Sequence, residues 1–208
     1  MPAFRGQRQS DADRSMVTGH FGFAAAVKSR ERETPLWALM LACQWLDVVF
    51  VPLFLLGVER ISPVPGTNGG YGQVIINADY THSLIGALAL SALFGLASAN
   101  RWGARSGAVL AGVTFSHWIF DLVVHRRDMP ILPGNLGQLS RVGFGLWKIP
   151  TASIAIELAL VLLGAYSYWR AAVAVARANG QGLTAAHAAS GLLLGSGLVT
   201  LTLDVLGY

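Results

Sequence analysis

Residues 106–125, SGAVLAGVTFSHWIFDLVVH, form an apolar run that carries His117, Asp121 and His125 at four-residue spacing. About 20 helical residues cross a hydrocarbon core about 30 Å thick, so the run predicts a transmembrane helix. Four-residue steps advance about 40° around a helix axis, so the two imidazoles and the carboxylate form one stripe facing one partner. Ionisable groups in hydrocarbon are costly and are kept where they face the bundle interior and pair with one another or with an ion. The run therefore predicts a membrane fold and a polar site inside it.

The rest of the chain has the same character. Of its 208 residues 53% are hydrophobic and only 12% are charged, against about 25% charged in soluble domains; the mean hydropathy is +0.51. Apolar segments at 36–57, 80–99, 151–176 and 183–206 join the first run. The expected fold class is all-α, a polytopic membrane helix bundle of about five transmembrane helices. VTGHFGFAAAVK at 17–28 would be only about 18 Å long, too short to span, and predicts a short N-terminal half-helix or interfacial helix. Thr34-Pro35 supplies a start for the first full span. Residues 1–15 are polar and basic without the apolar core of a secretory signal, and are expected to form a cytoplasmic tail. Residues 16–208 are expected to form a single transmembrane domain. The loops at 64–73 and 129–138 are turn-rich and read as ordered caps over the bundle.

Lysines and arginines in short loops favour the cytoplasmic side. With the N-terminus inside, ten fall inside and five outside (Arg60, Arg126, Arg127, Arg141 and Lys148), which supports a cytoplasmic N-terminus. The same bias explains the net charge of +4 without a nucleic-acid partner. Cys43 has no second cysteine to pair with and reads as core. Trp37, Trp102 and Trp147 fall near span ends and read as interface anchors, whereas Trp118 reads as packing. Gly191 and Gly195 form a GxxxG pattern that suggests helix contact within the chain or with a partner.

Depth brings further polar residues to the stripe. At about 1.5 Å per residue, Asp47 and His117 each lie about 17 Å from the inner end of their spans and Asp121 about 22 Å. His82 lies a few ångströms from the outer edge, just after Asp79, and Glu157 about 10 Å in. All can meet in the outer half of the membrane. Imidazole and carboxylate donors suit zinc, or manganese where oxygen predominates. His125, beside Arg126, Arg127 and Asp128, is also placed for interfacial duty.

The motifs GHFGFA at 19–24, WLD at 45–47, DYTHSL at 79–84 and SHWIFDLVVH at 116–125 together resemble the bacterial inner-membrane family of membrane-bound metal-dependent hydrolases. That family is distantly similar to zinc-dependent phospholipase C and related nucleases. The resemblance covers about residues 16–130 and implies His20, Asp47, His82, His117 and Asp121 as metal ligands. His125 joins them by spacing and Glu157 by depth. The family often carries D-x-D where this chain has Asp47 alone, which implies fewer carboxylate ligands. The expectation is a divalent ion, zinc ahead of manganese, and hydrolysis of a phosphoester or lipid-linked substrate, with Glu157 or Asp79 orienting the water or taking its proton. The expected location is the bacterial inner membrane. Two other readings stand beside it: a non-catalytic accessory subunit of a larger membrane complex or homo-oligomer, and a small ion- or proton-coupled transporter. The lack of an evident inverted repeat weighs against the transporter.

Overall fold

The computed structural model describes residues 17–206; the polar segment 1–15 lies outside them. The chain is mostly helical: α1 (Val17–Lys28), α2 (Leu36–Cys43), α3 (Trp45–Leu55), α4 (Leu84–Val124), α5 (Pro150–Ala178) and α6 (Thr184–Leu206). Three helices, α4, α5 and α6, are long and apolar enough to cross a membrane, and α2 with α3 passes the same test as a pair bent by 49°. The chain thus has the build of a membrane protein. α5 and α6 start and stop within a few residues of the apolar runs that predict them. Pro150 at the head of α5 fits there because the first helical N–H has no intrahelical partner to lose.

Two apolar runs depart from simple spans. The first breaks at Gln44, whose backbone leaves helical geometry (φ −114°, ψ 6°) between α2 and α3. The second and third runs join as α4, which reverses at Gly103 (φ 82°, ψ 162°), a conformation open to glycine. Its two arms then lie against each other: a Cβ at Gly95 would meet Gly107 and Ala111. Thr34 Oγ1 donates to Ser106 Oγ at 3.1 Å, tying the start of α2 to this turn.

The loop at 64–73 caps a two-stranded antiparallel hairpin of β1 (Arg60–Pro63) and β2 (Val74–Asn77), a small addition to an otherwise all-α fold. Ile61 faces Ile76 in its register. Phe50, Tyr71, Val74, Ile76, Val124 and Trp147 form the cluster beneath it. Trp147 is therefore a core residue, 1% exposed, whereas Trp37 stays 61% exposed and meets Trp102 edge to face.

α1 has twelve residues, the short helix expected there. It is wedged inside the bundle against α5, where Gly22 packs on the Leu160 carbonyl and Gly164 on the Gly22 carbonyl. Backbone approach this close needs residues without side chains, the usual device where helices meet in lipid. The GxxxG glycines behave differently: space around Gly191 and Gly195 is open, and Gly197 is the α6 glycine that meets α5, at Val161. Gly164→Leu should therefore cost about 1–3 kcal/mol through overpacking, seen as a lower unfolding midpoint in detergent. Gly191→Leu should leave the midpoint nearly unchanged.

Candidate metal centre

Asp47 lies in the first turn of α3, just past the break at Gln44. His82 lies just ahead of α4, whose N-cap is Ser83. His117 and Asp121 sit one turn apart on the returning arm of α4, and His20 comes from the first turn of α1. These side chains, with His125, Phe50, Ile61 and Ile76, enclose a cavity of about 10 Å³. That is room for about one water-sized body. The four histidines and Asp121 are almost fully buried, but the Asp47 side chain is 24% exposed. Asp47 is thus the cavity-lining carboxylate with a partly exposed side chain.

Neighbouring groups fix which ring nitrogen faces inward. Thr81 Oγ1 donates its only proton to Glu59 Oε2 at 2.9 Å, so at 2.8 Å from His82 Nδ1 it accepts the ring N–H. His117 Nδ1 is 2.7 Å from the Cys43 carbonyl, which only accepts. His125 Nδ1 is 3.1 Å from Asp128 Oδ1. With Nδ1 protonated, each neutral ring turns the lone pair of Nε2 toward the cavity. The break at Gln44 matters here, because Cys43 ends α2 and a terminal carbonyl is free for a side chain.

The inward atoms form two triangles that share an edge. His82 Nε2 and His117 Nε2 are 3.4 Å apart. Asp121 Oδ2 lies 3.4 Å from the first and 3.2 Å from the second. Asp47 Oδ1 lies 3.3 Å and 3.6 Å from the same two nitrogens. A direct charge-assisted hydrogen bond would be about 2.7–2.9 Å. Donors about 2.0–2.1 Å from a tetrahedral ion stand about 3.3–3.4 Å from one another, a spacing close to the one observed. Acceptors converging without a proton or cation among them would also repel. The donor set therefore fits a divalent ion: two groups, Asp47 with His82 and His117, and His20 with His117 and Asp121, have the geometry to hold one.

His20 and His125 stand at the edges. His20 Nε2 is 3.4 Å from Asp121 Oδ1, the oxygen not used by His82 and His117. Its ring stacks on His117 at 4.0 Å, and its Nδ1 is buried without a hydrogen-bond partner. His125 lines the cavity, but its Nε2 is 4.0 Å from Asp121.

The structure places Asp79 and Glu157 off the cavity lining. Arg141 holds both oxygens of Asp79 at 2.6 and 2.8 Å, and this pairing keeps the guanidinium above its ordinary pKa. Glu157 accepts from the Tyr71 hydroxyl and faces the backbone amides of Thr18 and Gly19 at the head of α1. Burial, and then the nearby Glu157, push the Tyr71 phenol above its usual range, so it remains a donor.

Sequence reasoning passed over Glu59 and Asp128. Glu59 is fully buried and accepts from the Tyr80 and Thr81 amides as well as from Thr81 Oγ1. Asp128 joins His125 to the hairpin by accepting from the Ile76 amide at 3.1 Å. Trp118 packs as expected, and its Nε1–H also donates to the His82 carbonyl at 2.9 Å.

Comparison with family models, with curated proteins and with solved structures finds no match. Partners that orient metal-binding histidines typically contribute 10–100-fold in affinity. Thr81→Val, which severs His82 from Glu59, should weaken metal binding by about that factor while circular dichroism stays unchanged. Competition against a chromophoric chelator measures it.

Proposed function

We propose that this protein is a membrane-embedded, metal-dependent hydrolase of a phosphoester or lipid-linked substrate. The observation that carries the reading is the inward-facing set of imidazole lone pairs and carboxylates, buried on every side but that of Asp47. The motif resemblance in residues 16–130 points the same way. His82, His117 and Asp121 would hold the ion from the buried side, with His20 supporting Asp121, and would leave a fourth position for water beside Asp47. Two imidazole nitrogens with a carboxylate oxygen favour zinc over manganese.

A divalent ion there supplies Lewis-acid polarisation of a phosphoryl oxygen and makes a water more acidic. The chain's own residues do the rest. Asp47, the acid with access to the outside, takes the proton as the water oxygen bonds to phosphorus. The ester P–O bond breaks and the leaving oxygen recovers that proton. Ile61 and Ile76 of the hairpin and Phe50 of α3 shield the site from bulk water. Exposed Val48, Val51, Leu55 and Leu56 follow Asp47 along α3. This apolar rim supports an amphiphilic substrate arriving from the bilayer.

With α4 folded back at Gly103, α2–α3, the two arms of α4, α5 and α6 amount to five crossings. His20 then reaches the site because α1 enters the bundle. The arginines and lysines at the Gly103 end outnumber those at the hairpin end by seven to five among the described residues, in keeping with a multi-pass protein of a bacterial inner membrane whose Gly103 end faces the cytoplasm.

Purified protein in mixed micelles should release phosphate or headgroup from a phospholipid, lose this on chelation and regain it with zinc. Asp47→Asn should lower kcat about 10²–10⁴-fold. Hydrolysis that survives both chelation and His117→Ala would contradict the proposal.

A further inference from the structure

A second concavity lies far from the metal centre, between α5 and the first turns of α6. It is an open groove of about 290 Å³, lined by the exposed Tyr166, Trp169, Arg170, Arg177 and His187 together with Val173 and Ala174 of α5. Arg170 is twenty residues beyond the start of α5, a rise of about 30 Å, the thickness of the hydrocarbon core. The cavity therefore opens at headgroup level, and α1, which runs alongside α5, ends near the same level at Lys28.

Its polar groups are arranged to donate. Trp169 Nε1–H donates to His187 Nδ1 at 3.0 Å, joining the two helices. Because Nδ1 accepts, the ring proton of His187 sits on Nε2, which is a donor in the neutral ring and in the charged one. Arg170 lies over the Tyr166 ring at 5.9 Å, which holds its guanidinium at the cavity wall. Neither Arg170 nor Arg177 has a carboxylate partner among the described residues, and no Asp or Glu lines the cavity. α6 begins at Thr184, so the positive end of its dipole lies beside His187. A cavity of donors with aromatic walls at the membrane surface takes an anion that carries apolar chains.

We propose that this cavity is a binding site for the phosphodiester headgroup of an anionic phospholipid, held by Arg170, Arg177 and the Nε2–H of His187. Basic pockets between transmembrane helices are the usual form of such sites. The inference is independent of the hydrolase reading, since the two sites share no residue.

The full-length protein is placed in nanodiscs of phosphatidylglycerol and phosphatidylcholine, and the lipid retained after release into detergent is counted by native mass spectrometry. Wild type should keep one phosphatidylglycerol in preference to phosphatidylcholine. Arg170→Gln with Arg177→Gln should weaken that retention about 30-fold, and His187→Ala should weaken it less. Metal content and the unfolding midpoint in phosphatidylcholine should stay at wild-type values. Equal retention of the two lipids, or unchanged retention in the double variant, would overturn the proposal. Inorganic phosphate that displaces the retained lipid at equal concentration would also overturn it, by showing a site for free phosphate.

Discussion

Everything at the centre of this molecule depends on one electrostatic requirement: imidazole nitrogens and carboxylate oxygens converge in a buried space with no lysine or arginine among the residues that line it. In low dielectric such an arrangement is costly unless a cation or protons occupy it. The spacing of 3.2–3.6 Å between the nitrogen and oxygen atoms of His82, His117, Asp47 and Asp121 matches donors around a small ion. The ring orientations are set from behind by Thr81 and Cys43, so the lone pairs point inward before anything binds. Preorganisation of that kind separates a binding site from a set of buried histidines that merely find partners.

Departures from regular helix serve that centre. The break at Gln44 gives His117 a carbonyl and brings Asp47 into the first turn of a new helix. The reversal at Gly103 brings the two arms of α4 back to back, so that His82 before the first arm and His117 near the end of the second are neighbours. Gly22 and Gly164 let α1 sink far enough for His20 to reach Asp121. The hairpin, tied to His125 through Asp128, puts Ile61 and Ile76 over the cavity. Buried ions are tolerated in a membrane when the surrounding helices satisfy them, and here α1, α2, α3 and both arms of α4 supply the polar groups that do so.

Much of this was legible in the sequence because hydropathy has a length scale. α5 and α6 coincide with their apolar runs, and the stripe of His117, Asp121 and His125 follows from helical spacing alone. Depth along the spans placed Asp47 and His82 beside that stripe. It misplaced Glu157, because depth says nothing about which way a side chain points: Glu157 turns to Tyr71 and the head of α1. Asp79 is adjacent in sequence to the site but is held by Arg141, a loop residue with no local signal. The break at Gln44 has neither glycine nor proline to mark it, whereas Pro52 sits inside α3 without ending it. The hairpin did leave a trace, the β-branched run Val74-Ile75-Ile76 after a Gly-rich loop, outweighed by the apolar spans around it. Glu59, which no motif or spacing singles out, is the buried anchor behind Thr81 and so behind His82.

The central claim is that these side chains form a coordination shell. X-ray absorption at the metal edge of the purified, full-length protein tests it most directly. The account predicts a first shell of nitrogen and oxygen at about 2.0–2.1 Å for zinc, with outer-shell scattering from at least two imidazoles that is lost in His117→Ala. A folded wild-type protein that binds no divalent ion, or one whose metal signal is unchanged in His117→Ala, would contradict it.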